Sequence, residues 1–356
     1  MSELSYSDIE KLIKKDAPGI YQYYLSEVKP RGIHRSRFTL PFYMAKDLFM
    51  VFLMKLTPLR RLFYTAALVL FLYSMWVNHW NLAFLSFLMF NVLLAFELAD
   101  KLTAKDELDT ARRIQMNLMP TLPARINDFE TVCHAETAKD VGGDYCNFIQ
   151  AANGHKDFIM IGDISGKGMS AALHMVQMHT IVNHLSKEVN DSGELLKGLN
   201  KEAVGILGKE GFFTASVLTL SETPVVNIRR AGHLPVIHYS VAENTVKEIK
   251  PAGIGLGLAA NGIFDRTLES LDIEVGSGDI ILLYTDGISE AMSINKEMFG
   301  SQRLIEIISK NSHKSLTEIK NRIIHAVKTF SENDTFEDDL TMILLRYLPE
   351  DGSKKG

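Results

Sequence analysis

The sequence predicts a membrane-anchored chain whose larger part is a mixed α and β domain, and three observations carry that expectation. A run of 35 residues, Leu62 to Phe96, contains no Asp, Glu, Lys or Arg. A helical stripe follows and is stopped by Pro120 and Pro123. Beyond Pro123, short apolar runs alternate with helical segments, and several runs adjoin aspartate. Pattern alone leaves this last part open between a doubly wound sheet and a sandwich of two sheets.

Composition narrows the function classes. Of 356 residues, 46% are hydrophobic and 23% charged, which excludes general disorder and allows a sizeable core. A net charge of −5, from 38 Lys and Arg against 43 Asp and Glu, argues against a broad basic face for nucleic acid. Two cysteines, Cys133 and Cys146, are too few for a disulfide scaffold or a four-ligand zinc site.

Residues 1–60 read as an N-terminal cytoplasmic segment. Phe38 to Leu56 is apolar but broken by Lys46, Asp47 and Lys55, which suits an interfacial helix on the inner leaflet or a helix packed on a small domain. Residues 61–97 read as the anchor. One straight helix over the uncharged run would span about 52 Å, against about 30 Å of hydrocarbon. The polar tetrad Asn78-His79-Trp80-Asn81 therefore reads as a turn between two short spans, roughly 62–77 and 82–97. Lys55, Arg60 and Arg61 precede the first span, and Lys101, Lys105, Arg112 and Arg113 follow the second. The turn carries no Lys or Arg, so both termini are expected in the cytoplasm of a multi-pass inner-membrane protein.

Residues 98–120 form the connecting helix. Leu98, Leu102, Leu108, Ala111, Ile114 and Leu118 make its apolar stripe. Fewer than four heptads leave two arrangements open: a homodimeric coiled coil through 98–118, or a lone amphipathic helix docked on the next domain.

In residues 121–348 four acidic motifs stand out. They are Val141-Gly142-Gly143-Asp144, Phe158 to Gly162 ending in Asp163 with the turn Ser165-Gly166-Lys167-Gly168, Ile280 to Tyr284 followed by Thr285-Asp286-Gly287, and Asp338-Asp339 before the strand Met342–Tyr347. Asp at a strand end is ordinary turn chemistry when it occurs once. Four such places suggest carboxylates gathered at one sheet edge, where they would repel unless cations or protons intervene. Oxygen ligands without His or Cys suit the hard ions Mg²⁺ or Mn²⁺. A pair of such ions can activate a water for phosphoryl displacement.

Other motifs fail. GDISGKG lacks the Ser or Thr and the glycine spacing of a P-loop. His174, His179 and His184 recur every five residues, which scatters them around a helix, and neither HExxH nor GxSxG occurs. Lys167 reads either as a phosphate-attracting cation or as a solvated turn residue, and Gly166 and Gly168 as requirements of that turn.

The ordered set ARRIQMNLMP, VGGDY, IGDISGKG, MSAAL, GFFTASVLTL, AGHLP, GIGLGL, LYTDGISEA and DDLTMILLR resembles the metal-dependent protein phosphatase (PPM) family, in its SpoIIE/RsbU-like branch. It covers roughly residues 111–347. The resemblance implies an α+β fold, an α/β/β/α sandwich of two antiparallel sheets. It also implies removal of phosphate from phosphoserine or phosphothreonine by a water activated by two divalent cations, Mn²⁺ or Mg²⁺. By analogy Asp163 would bridge both ions, and Asp286 and Asp338 would complete one site. The Ile164 carbonyl and Asp144, directly or through water, would serve the other, with Asp339 a ligand or an outer partner. Where eukaryotic-type members carry a His, this chain has Ser165, so a leaving-group acid is not identified; a water or His233 could fill the role, and His233 reads more simply as turn structure around Ala231-Gly232-His233. Arg230 and Val236 depart from the branch pattern around AGHLP without loss of a carboxylate.

The substrate the resemblance implies is a phosphorylated STAS-domain antagonist of an anti-sigma factor. The rival readings are a catalytically inactive binding module that recruits a partner to the membrane, and a metal-dependent phosphohydrolase of small molecules. Residues 349–356 form a polar tail.

Overall fold

The computed structural model describes residues 40–118, 123–150, 156–208, 211–221, 223–260, 262–332 and 336–349. The expectations for residues 1–39 and for most of the polar tail lie outside them. The chain divides into two compact units, 1–105 and 106–356.

The first unit is helical. Helix α1, Leu40–Lys55, lies within the apolar stretch Phe38 to Leu56. Helix α2, Pro58–Val77, opens with proline at its first turn, where the missing N–H costs nothing. It ends at Asn78, whose left-handed backbone, φ 54°, makes the expected turn. Helix α3 then runs unbroken from Trp80 to Leu118, so the second apolar span and the connecting helix are one element. Within this unit α2 and α3 touch along their length. Arg60 pairs with Glu97 at 3.0 Å and Asp100 at 2.7 Å, Tyr64 and Phe90 meet edge to face, and the Ser86 hydroxyl donates to the Ala67 carbonyl at 2.8 Å. Among the described residues, α3 alone is long and apolar enough to cross a membrane.

The second unit is the expected two-sheet sandwich. Its strands are β1 (Arg125–Ile126), β2 (Phe129–Glu136), β3 (Asp144–Gln150), β4 (Asp157–Ile164), β5 (Phe213–Leu220), β6 (Val225–Ala231), β7 (Val236–Ser240), β8 (Thr245–Ile249), β9 (Ser270–Glu274), β10 (Ile280–Tyr284) and β11 (Leu340–Tyr347). One sheet has the order β1-β2-β11-β10-β7-β8, the other β3-β4-β5-β6-β9, and every pairing between these strands is antiparallel. Helices α4 (Met169–Leu185) and α5 (Ser192–Ile206) cover the second sheet. After the short helices α6 (Ile263–Thr267) and α7 (Asp286–Ser289), α8 (Gly300–Asn311) and α9 (Leu316–Ser331) cover the first.

The two-residue period of a strand decides what faces what. In β4, Ile159 and Ile161 enter the core between the sheets, while Phe158, Met160 and Ile164 pack against α4 and α5. In β10, Ile281 and Leu283 face the opposite sheet and Ile280, Leu282 and Tyr284 face α8 and α9. Each fully buried side chain of this kind contributes about 1.5–3 kcal/mol, which gives the register its stability. The same alternation carries Asp163, Asp144 and Thr285 onto the inter-sheet side, at the end of the sandwich where β4 and β10 finish and β3 and β11 begin.

Candidate metal centre

Two neighbouring strands supply the first pair of carboxylates. Asp144 opens β3, Asp163 stands near the end of β4, and the two are direct partners across the ladder. The other sheet supplies the rest: Asp286 starts α7 just after β10, and Asp338 and Asp339 precede β11, which begins two residues earlier than the apolar pattern indicated. The Thr285 hydroxyl ties the sheets together, donating to Asp144 Oδ2 at 2.8 Å.

Burial and like charge act together here. Asp144 is 3% exposed and its carboxyl is held well above the usual range, first by burial and then by Asp163 and Asp339, against the Thr285 bond. Asp163 is pushed up to about 7 by burial and by the charges of Asp286, Asp338 and Asp339. Asp286 is raised by burial, Asp338 and Glu290. Asp339 is also raised by burial, although the backbone N–H groups of Ala138 and Gly143 donate to its two oxygens at 2.9 and 2.8 Å. Those donors place Asp339 as a brace for the 138–143 segment. Gly142 is required beside it, because a Cβ there would collide with its carboxylate.

The turn after β4 explains its glycines: Gly166 and Gly168 have φ of 101° and 73°, a region that favours residues without a Cβ. Between them Lys167 reaches Asp338 Oδ2 at 2.5 Å, from a side chain that is 59% exposed. The turn thus lends a cation to the acidic cluster. Ser165 is used structurally, its hydroxyl accepting from the Phe212 N–H at 2.8 Å. His233 is equally committed. Its Nε2 donates to the Tyr284 carbonyl at 3.1 Å, its Nδ1 meets the Thr214 hydroxyl at 2.9 Å, and burial lowers it to about 4. A neutral ring with both nitrogens engaged has no proton to offer a leaving group, which agrees with its reading as turn structure.

The acidic side chains form an all-oxygen donor set, of the chemistry that holds Mg²⁺ or Mn²⁺. Among the described residues no three His, Cys, Asp or Glu side chains stand in a ready-made ligand group. Sequence reasoning did not single out Thr285, though it lies inside the quoted LYTDGISEA motif, nor Gln115, which lies inside ARRIQMNLMP and contacts Gly142.

A two-sheet sandwich flanked by helices, with aspartates from both sheets meeting at one end, defines the PPM class of phosphatase. The family model of stage II sporulation protein E (SpoIIE) matches residues 153–348. The chain is 26% identical over 253 residues to phosphoserine phosphatase RsbU of Bacillus subtilis (strain 168), covering 68% of this chain and 70% of that protein. It is 27% identical over 266 residues to protein IcfG of a Synechocystis strain, covering 67% of this chain and 41% of that one. Its fold matches the SiaA-PP2C domain of Pseudomonas aeruginosa with a TM-score of 0.61 at 19% identity, over 70% of this chain and 99% of that chain. The chain belongs to the SpoIIE family.

Proposed function

We propose that this protein is a membrane-anchored, metal-dependent phosphatase that hydrolyses phosphoserine or phosphothreonine on a cytoplasmic regulatory protein. What supports this is that Asp144 and Asp163 pair across the ladder and that Asp286, Asp338 and Asp339 lie near enough for their charges to raise Asp163 to about 7, together with its burial. Asp144, Asp163, Asp286 and Asp338, with the Ile164 carbonyl, would hold two Mn²⁺ or Mg²⁺ ions, and Asp339 would brace them from outside. Bound there, the ions supply Lewis-acid stabilisation of the phosphoryl oxygens and an acidified water. Lys167, now paired with Asp338 from its exposed turn, would draw the phosphate to the cluster and orient it. Thr285 holds Asp144 in place, and with both ring nitrogens of His233 engaged, water is the proton donor we assign to the leaving oxygen.

Similarity to RsbU supports a phosphoprotein substrate, and a STAS-domain antagonist of an anti-sigma factor is the partner we propose. For topology we propose two spans, 62–77 and 82–97, with both termini cytoplasmic. The Arg60 pairs with Glu97 and Asp100 support it, because they gather charge at one end of the helix pair. An impermeant maleimide should label a cysteine at Asn81 from outside intact cells, and protection there would contradict the topology. Leu98, Leu102 and Ile114 are exposed on α3, and a second copy pairing through 98–118 is the occupant we propose for them.

The test is hydrolysis by the full-length chain in detergent micelles. Phosphoserine peptide and p-nitrophenyl phosphate should be cleaved with Mn²⁺, and not with EDTA or by Asp163→Asn. Inactivity under every metal would favour a binding module, and preference for nucleotides over phosphopeptides a small-molecule phosphohydrolase.

A further inference from the structure

One polar side chain in the last turns of α3 is buried where its neighbours are not. Gln115 is 2% exposed, beside Ile114 at 56% and Met116 at 42%. A buried amide has to find partners for its donors and its acceptor. Gln115 finds them on a single residue: its Nε2 donates to the Gly142 carbonyl, and its Oε1 accepts from the Gly142 N–H at 3.2 Å. The side chain pairs with Gly142 as a neighbouring strand would, at a position two residues before β3 starts.

What lies on the far side of this peptide is the acidic centre. The Gly143 N–H donates to Asp339 Oδ2 at 2.8 Å, and the Gly143 carbonyl accepts from the Ile164 N–H at 3.3 Å. Asp144 is the next residue. The segment is therefore clasped between the Gln115 amide and the Asp339 carboxylate, and rotation of the 142–143 peptide would disturb Asp144, Asp339 and Ile164 together. Glycine lets the backbone come this close but leaves it soft, so an external clasp is what fixes it.

We infer that Gln115 is a positioning residue of the metal centre: by gripping both polar groups of Gly142 it holds Asp144, Asp339 and the Ile164 backbone in their places. It touches no reacting atom. This role rests on the metal-dependent reading above, and the test separates the two.

Free Mn²⁺ is titrated by its electron paramagnetic resonance signal against the full-length chain in micelles, alongside amide exchange over residues 140–146 and thermal unfolding in EDTA. Gln115→Met, of equal length but unable to make either bond, should weaken Mn²⁺ binding by about 10–100-fold, the usual cost of losing an outer partner. It should also speed exchange at Gly142 and Asp144, and hydrolysis should recover at saturating Mn²⁺. Gln115→Asn, with its amide drawn back by one methylene, should move affinity the same way by a smaller factor, and Met116→Ala should match wild type. Unchanged Mn²⁺ affinity in both Gln115 variants, whatever their melting temperatures, would overturn the role. Wild-type protein that binds no Mn²⁺ would instead refute the metal-dependent reading and the role with it, while the exchange data would still show whether Gln115 holds Gly142.

Discussion

Strand β10 carries an aspartate at each end, and the two could hardly be treated more differently. At the start, Asp279 is 3% exposed and fully answered: Val241 N–H donates to Oδ1 at 2.8 Å, Gly276 N–H to Oδ2 at 2.9 Å, and His238 Nε2 lies 3.1 Å from Oδ2. At the other end, Asp286 has Asp338 and Glu290 for company, and burial with their charge raises its carboxyl. The first end is a finished structural joint, in which every acceptor is matched by a donor. The second sets only the Gly287 N–H and the charge of Lys167 against several carboxylates, so most of its negative charge is unmatched, and a fold tolerates that where something else supplies the counter-charge. Function is marked by that imbalance, since aspartate itself occurs at both ends.

The sharpest way to break the comparison is to remove each carboxylate in turn. Asp286→Asn should cut Mn²⁺-dependent hydrolysis by more than about 100-fold, beyond the cost of losing an outer partner, while the metal-free protein melts at a higher temperature because repulsion is relieved. Asp279→Ala should do the reverse, costing about 2–3 kcal/mol by stranding buried donors, with hydrolysis per folded molecule retained. Calorimetry and steady-state assays on the pair would check both. Equal effects on activity would erase the distinction drawn here.

A second prediction concerns pH. The folded Asp163 carboxyl sits near 7, against about 3.9 for an unfolded chain. Its proton therefore favours the folded state: that contribution is complete below about pH 4 and is lost as pH rises through about 7. Asp144, Asp286 and Asp339 are displaced in the same direction. Metal-free protein should accordingly melt at a lower temperature at pH 8 than at pH 5. Mn²⁺ must displace the proton, so apparent Mn²⁺ affinity should fall by up to about tenfold per pH unit below 7. A melting temperature that rises between pH 5 and pH 8 without metal would contradict the account.

The smallest expected effect belongs to Lys167. As an exposed side chain on a flexible stem it contributes little to stability, and Lys167→Met should leave the melting temperature within about 2 °C. If it orients phosphate, KM for a phosphopeptide should rise severalfold with a smaller change in kcat. An unchanged KM would return it to the status of a turn lysine.

What could be read from the sequence divides along the same line. Asp163 and Asp286 stood out because each stands at the end of a strongly apolar run in which nothing local needs a charge. The polar tetrad at 78–81 marked the turn between α2 and α3, although the pattern did not show that α3 continues as one helix to Leu118. The sandwich itself came from family resemblance. Strand order depends on pairings such as Thr341 with Ala135 and Asp144 with Asp163, which leave no periodic trace. Asp279 escaped notice because Gly278-Asp279-Ile280 looks like any turn before a strand, and only the fold brings Val241 and His238 to it. Gln115 was illegible for a related reason: its partners are the backbone groups of a glycine 27 residues away.

The most direct measurement is the stoichiometry of Mn²⁺ binding to the full-length chain at pH 8, by isothermal titration with the resonance signal of free Mn²⁺ as a cross-check. Two ions per chain, with binding crippled in Asp163→Asn and hydrolysis following occupancy, is the predicted result. Hydrolysis that persists in EDTA, or Mn²⁺ binding that Asp163→Asn leaves untouched, would contradict it.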